Sequence, residues 1–143
     1  MATFTVLGGL VGGLIATIVM TVFMMALGGD SPPPTAQFWS KYVGDGEPDE
    51  YMMQGMVLHA LYGIIAGLVF VVVVPLIGLT IGSVTTAVLF GLAYGFVLFL
   101  GAAVFWMNVV LDLDPGMPMV ATFLLFHLVY GVVLGVWLQL GVL

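Results

Sequence analysis

Long apolar stretches alternate with two short polar clusters along this chain. Residues 1–29 contain no Asp, Glu, Lys or Arg, and six of the eight charged residues fall between Asp30 and Glu50. Residues 51–111 are again uncharged, Asp112 and Asp114 follow, and 115–143 carry no charge. A helix needs about 20 apolar residues to cross a bilayer, so each terminal stretch holds one span. The central stretch holds two, because Pro75, Gly78 and Gly82 break it. Spans are therefore predicted near 4–27, 52–74, 84–107 and 119–140. All should be helices, since a lone strand in lipid leaves its backbone groups unpaired. The first is expected to be kept: its apolar part, about 24 residues, exceeds a signal-peptide core, and no Lys or Arg precedes it.

The expected fold is all-α, an integral membrane four-helix bundle forming a single domain over 1–143. Four crossings put both termini on one face and all eight charges on the other. Lys41 is the one side chain on which the positive-inside rule can act, so orientation stays open. In the first loop, Ser31-Pro32-Pro33-Pro34 reads as a stiff extended turn. Phe38, Trp39, Tyr42 and Val43 then share one side of a short helix. An interfacial helix with its aromatics at headgroup depth is expected, with partner docking as the alternative. Gly44 to Glu50 is an acidic turn without calcium-loop spacing, with Asp49 and Glu50 favouring the start of the second span.

The chain also repeats itself. His59-Ala60-Leu61-Tyr62-Gly63-Ile64-Ile65-Ala66-Gly67 aligns with His127-Leu128-Val129-Tyr130-Gly131-Val132-Val133-Leu134-Gly135, and these are the two histidines of the sequence. The first and third spans match more weakly, through Gly13-Leu14 and Gly91-Leu92. We read two parallel repeats of a transmembrane hairpin, about 1–74 and 75–143, related by an axis along the membrane normal and unlike inverted transporter repeats. Small residues recur every four positions: Gly9 and Gly13, Gly63 and Gly67, Gly91 and Gly95, Gly131 and Gly135. Such stripes let helix backbones approach closely, so helix packing is their expected role.

Composition narrows the function. Hydrophobic residues make up 63% and charged residues 6%, against roughly 25% charged in a soluble domain, which excludes a soluble enzyme. The net charge of −6 excludes a nucleic-acid partner. The absence of cysteine excludes disulfides and thiolate metal sites. Ser31 and Ser83 have no His–Asp arrangement nearby, there is no phosphate loop, and no acid lies within a span. Catalytic residues are therefore not expected, and ion coupling through carboxylates is disfavoured.

The Gly-rich start ending in Ala16-Thr17-x-x-Met20-Thr21, the proline after the first span and the two His-x-x-Tyr-Gly helix starts resemble one group. It is the uncharacterised small four-helix membrane proteins of halophilic archaea, distantly similar to the YagU-like inner-membrane proteins. The resemblance implies four helices and an acidic bias, and transfers no catalytic residue.

His59 and His127 are the candidate cofactor-binding residues. They sit at similar depth on helices expected to be diagonal, so inward-facing rings would converge. Three roles remain open. Each ring can hydrogen-bond to a Thr, a Tyr or a carbonyl, with Thr21, Tyr62 and Tyr130 at suitable positions. The pair can ligate one haem b, although the chain has no Arg and one Lys to meet the propionates. Or His59 and His127 can hold copper as Cu(I), with Met52 and Met56 on the His59 face supplying thioethers. The structural role with no cofactor is expected. The protein is then a non-enzymatic multi-pass subunit of the cell membrane. It would pack against lipid and against other membrane subunits, for example of a respiratory terminal oxidase, or against its own copies as a homo-oligomer. A small transporter is the remaining alternative.

Overall fold

A computed structural model of the chain describes residues 4–143. Five helices form, and no strand occurs among the described residues. They are α1 (Val6–Leu27), α2 (Pro34–Tyr42), α3 (Met52–Leu76), α4 (Val84–Leu100) and α5 (Met117–Leu140). A 3₁₀ turn, Pro48–Tyr51, leads into α3, and α4 runs on as a π-helical segment, Gly101–Val110. α1, α3, α4 with its extension, and α5 are each long and apolar enough to cross a membrane.

Local chemistry sets the helix ends. The Thr5 hydroxyl accepts the Gly8 N–H at 2.8 Å and caps α1. Glu47 and Glu50 form a reciprocal capping box at the 3₁₀ turn, so the carboxylates stand at the positive end of the helix they precede. α3 continues one residue past Pro75. It closes at Gly78, whose φ of +77° suits a residue without Cβ, while Leu79 N–H bonds back to Val74 O at 3.0 Å. The π-helical segment closes with Leu111 N–H on Trp106 O at 2.9 Å, and Asp112 then turns the chain at φ +56°.

α1 runs antiparallel to α3 and to α5, and α4 antiparallel to α5. A methyl group at Gly13 would lie 2.5 Å from Gly63 O and 3.2 Å from Gly67 Cα, and one at Gly9 2.9 Å from Gly67 O. On the other side, a methyl at Gly131 would lie 2.8 Å from Gly91 C and 3.0 Å from Gly95 N. One at Gly135 would lie 3.1 Å from Ala87 C. α1 meets α5 through Trp137 Nε1, which donates to Gly8 O at 3.2 Å. The bundle closes across its middle: Tyr94 of α4 donates to Ala66 O of α3, and Tyr130 of α5 to Gly63 O of α3, both at 2.6 Å. Phe70, Ile81, Met107 and Leu134 are the largest side chains fully enclosed.

All eight charged residues lie in the connections at one end, where α1 and α4 finish and α3 and α5 begin. The first connection is more organised than a free interfacial helix. Ala36 of α2 is completely buried against Gly55, and Phe38 meets the Trp106 ring edge-on at 5.9 Å. The Tyr42 hydroxyl donates to Val110 O at 2.6 Å, and Lys41 Nζ reaches the same oxygen at 3.1 Å. The aromatic side of α2 therefore folds back over the bundle. The acidic turn is held by Tyr51, whose hydroxyl accepts the Asp45 and Gly46 N–H groups at 3.1 Å each.

Candidate functional site

Beneath α2, the four long helices enclose a cavity of about 200 Å³. α1 contributes Thr17, Met20 and Met24, and α3 contributes Leu58, His59, Tyr62, Gly63 and Ala66. Leu98, Ala102 and Trp106 face it from α4 and its π-helical extension, and Phe123, His127 and Tyr130 from α5. Pro33, Pro34, Thr35 and Phe38 form the roof. Both histidines of the chain thus border one interior space, from helices on opposite sides of the bundle.

His127 is 6% exposed, and its Nδ1 lies 2.8 Å from Phe123 O, one turn earlier on the same helix. A carbonyl only accepts, so Nδ1 carries the proton and donates. The Nε2 of the neutral ring is then left with a lone pair. Phe123, with its ring centroid 4.6 Å from that of His127, and Phe99 at 6.2 Å fix the plane of the imidazole. His59 differs: its Nε2 is buried and has no hydrogen-bond partner among the described residues, and Thr35 Oγ1 is in the same condition. Two other hydroxyls on the wall are engaged. Thr17 donates to Gly13 O at 2.7 Å and Tyr130 to Gly63 O. The apolar cavity thus offers an available acceptor at His127, while the unpartnered His59 Nε2 and Thr35 Oγ1 are sealed within its wall.

Met52 and Met56 border a second, shallower hollow of about 400 Å³, together with Thr21, Met24, Met25 and Met119. Pro33 and Pro34, like Met24 and Phe123, border both hollows. The i, i+4, i+7 relation of Met52, Met56 and His59 is intact on α3. Met20 and Met24 are the sulfur atoms that share the histidine cavity. Thr21 likewise lies in the second hollow, and Thr17, one turn earlier, takes the position beside the histidines. No group of three or more His, Asp or Glu that could hold a metal occurs among the described residues. The volume of about 200 Å³ is below the roughly 300–1,000 Å³ of pockets for drug-sized ligands. Lys41, the one basic side chain, is bonded to Val110 O above the roof.

Sequence reasoning did not single out Thr35 or Trp106, nor the π-helical segment that carries Trp106 to the wall. The run of prolines before Thr35 is the one local hint, because it holds the following residues against the bundle.

Residues 4–141 match a family described as a family of unknown function, DUF6789, and the chain belongs to it. No curated protein and no solved structure matches.

Proposed function

We propose that this DUF6789 member is a non-enzymatic, multi-pass protein of the cell membrane that holds a compact lipophilic ligand between His59 and His127. The observation that carries the reading is one apolar cavity bordered by both histidines, with His127 Nε2 left as an acceptor by the bond its Nδ1 makes to Phe123 O. A ligand hydroxyl that donates to that nitrogen makes a hydrogen bond worth about 0.5–1.5 kcal/mol. The small volume favours a ligand more compact than haem b, and Met20 and Met24, rather than Met52 and Met56, border the cavity. The proposed ligand is organic, with no resident metal.

Two further features belong to this reading. The bundle is a duplicated hairpin, α1–α3 and α4–α5, packed through its glycine stripes. Gly13 against Gly63 and Gly67, and Gly91 against Gly131, support it as corresponding close approaches. The protein works as a small subunit beside other membrane proteins, or beside its own copies, since its residues offer no chemistry of their own. The acidic excess of the loops is consistent with a high-salt setting. Native mass spectrometry of gently solubilised membranes tests both parts together. The expected result is the chain carrying a small organic mass, reduced in His59→Leu, together with partner subunits. A bare, partnerless monomer would overturn the proposal.

A further inference from the structure

We infer that the second hollow, separate from the histidine cavity, is a thioether pick-up site for an exchangeable soft cation, Cu(I). Five of the ten methionines in the chain border it: Met24 and Met25 from α1, Met52 and Met56 from α3, and Met119 from α5. Methionine ordinarily fills gaps in a packed interior. Here five of them stand around a gap of about 400 Å³ that stays open. Among the described residues, no carboxylate and no imidazole borders the hollow with them. Magnesium and calcium need oxygen ligands, and zinc sites are built from thiolate, imidazole and carboxylate. The chain has no cysteine. A set of neutral, polarisable thioethers selects Cu(I) instead.

Position and access agree with that chemistry. α1 finishes at this end of the bundle, and α3 and α5 begin there. The methionine side chain is unbranched and flexible, so one sulfur from each helix can turn to a shared ion without main-chain movement. α1 and α3 each offer two sulfurs, and α5 offers Met119 alone. Met25, Met52 and Met119 are 80%, 41% and 39% exposed. Gly29 and Ser31 of the first connection also border the hollow, so an ion from the aqueous side reaches the sulfurs without crossing hydrocarbon. All seven acidic side chains lie in the connections at this end, with Lys41 the one base. Such a charge balance raises the local concentration of cations of every kind, and the thioethers then pick out the soft one. Met52, Met56 and Met119 border this hollow and not the histidine cavity, so the imidazoles take no part.

The test uses the full chain in lipid nanodiscs, titrated by calorimetry with Ag(I), which shares the charge and closed d shell of Cu(I) and is stable in air. Zn(II) is the comparison ion, and X-ray absorption of the chain loaded with Cu(I) under nitrogen reads the ligand atoms. One Ag(I) per chain is expected, with no Zn(II) binding, and sulfur alone is expected around the copper. Met119→Leu, and Met52→Leu combined with Met56→Leu, should each weaken Ag(I) by about tenfold or more, since even an outer-shell change at a metal site costs that much. Met-to-Leu exchange conserves volume and is well tolerated, so the fold is kept. Met53→Leu and Met117→Leu, on α3 and α5 but outside the hollow, should leave binding unchanged, and so should His59→Leu. No Ag(I) binding, Zn(II) bound as tightly, or equal losses in Met53→Leu and Met117→Leu overturns the site. Loss of binding in His59→Leu, or nitrogen around the copper, overturns it too, because the ion then belongs to the histidine cavity.

Discussion

Replacing Gly131 by alanine adds one methyl group to the most crowded line in the bundle. That carbon would meet Gly91 O, and would lie 2.8 Å from Gly91 C and 3.0 Å from Gly95 N. Carbon atoms in comfortable contact are about 3.5–4.0 Å apart, so α4 and α5 must separate by about 1 Å. The obstacle is main chain, which cannot rotate away as a side chain can. Gly91, Gly95 and Gly135 share the seam and lose contact with it. Overpacking of this kind costs typically about 1–3 kcal/mol, offset by up to about 1 kcal/mol from removing glycine from a helix. The net expectation for Gly131→Ala is a loss of about 1–2 kcal/mol. Gly101→Ala is the matched control: it is exposed, with no atom within 4 Å of the added methyl. It should be neutral or stabilising by up to about 1 kcal/mol. Unfolding in mixed micelles with increasing SDS, followed by circular dichroism, measures both. If Gly131→Ala is as stable as the parent, or if both variants are destabilised equally, the backbone contact at Gly131 is not what holds α4 to α5.

Tyr130→Phe removes the hydroxyl that donates to Gly63 O across the bundle; the same unfolding titration should show a loss of about 0.6–2 kcal/mol, the range for interhelical hydrogen bonds in bilayers. The chain contains no cysteine, so single replacements can be labelled cleanly in sealed vesicles. Asp45→Cys and Asp114→Cys should react with an impermeant thiol reagent from the same side, and Leu79→Cys from the opposite side. Thr35→Cys should label slowly in the parent and at least several-fold faster when Phe38→Ala removes part of the roof. Equal rates would mean that α2 does not shield the cavity.

The four long helices were legible because lipid imposes a rule that composition alone can satisfy: a span must be long, apolar and uncharged. The lengths of 1–29, 51–111 and 115–143 carry that information without any knowledge of packing. The placement of His59 and His127 on corresponding turns was legible through the repeated His-x-x-Tyr-Gly motif. The immediate surroundings of the rings were not. Which methionines border the cavity shared with the histidines is a tertiary outcome with no periodic signature. The local pattern at Met52 and Met56 was correct for the helix and uninformative about the wall facing it. How α2 folds back on the bundle was not legible, for a related reason. Its aromatic stripe suits headgroups as well as protein, and what decides is Gly55, whose missing side chain lets Ala36 sit against α3. The π-helical continuation of α4 follows from no residue we could identify in advance.

The manner in which the helices touch sets how the molecule deforms. α1 with α3, and α4 with α5, approach backbone to backbone at their glycines, with Val71 and Thr17 filling part of the first seam. Between α3 and α4 the main chains barely approach one another, and the join is made by Tyr94 on Ala66 O and by the Tyr94 ring on Phe70 at 4.9 Å. A sideways load on this bundle is therefore not shared evenly. The two glycine-lined pairs behave as stiff plates, and the strain collects at the α3–α4 face, where two side chains can tilt before any main-chain bond is stretched.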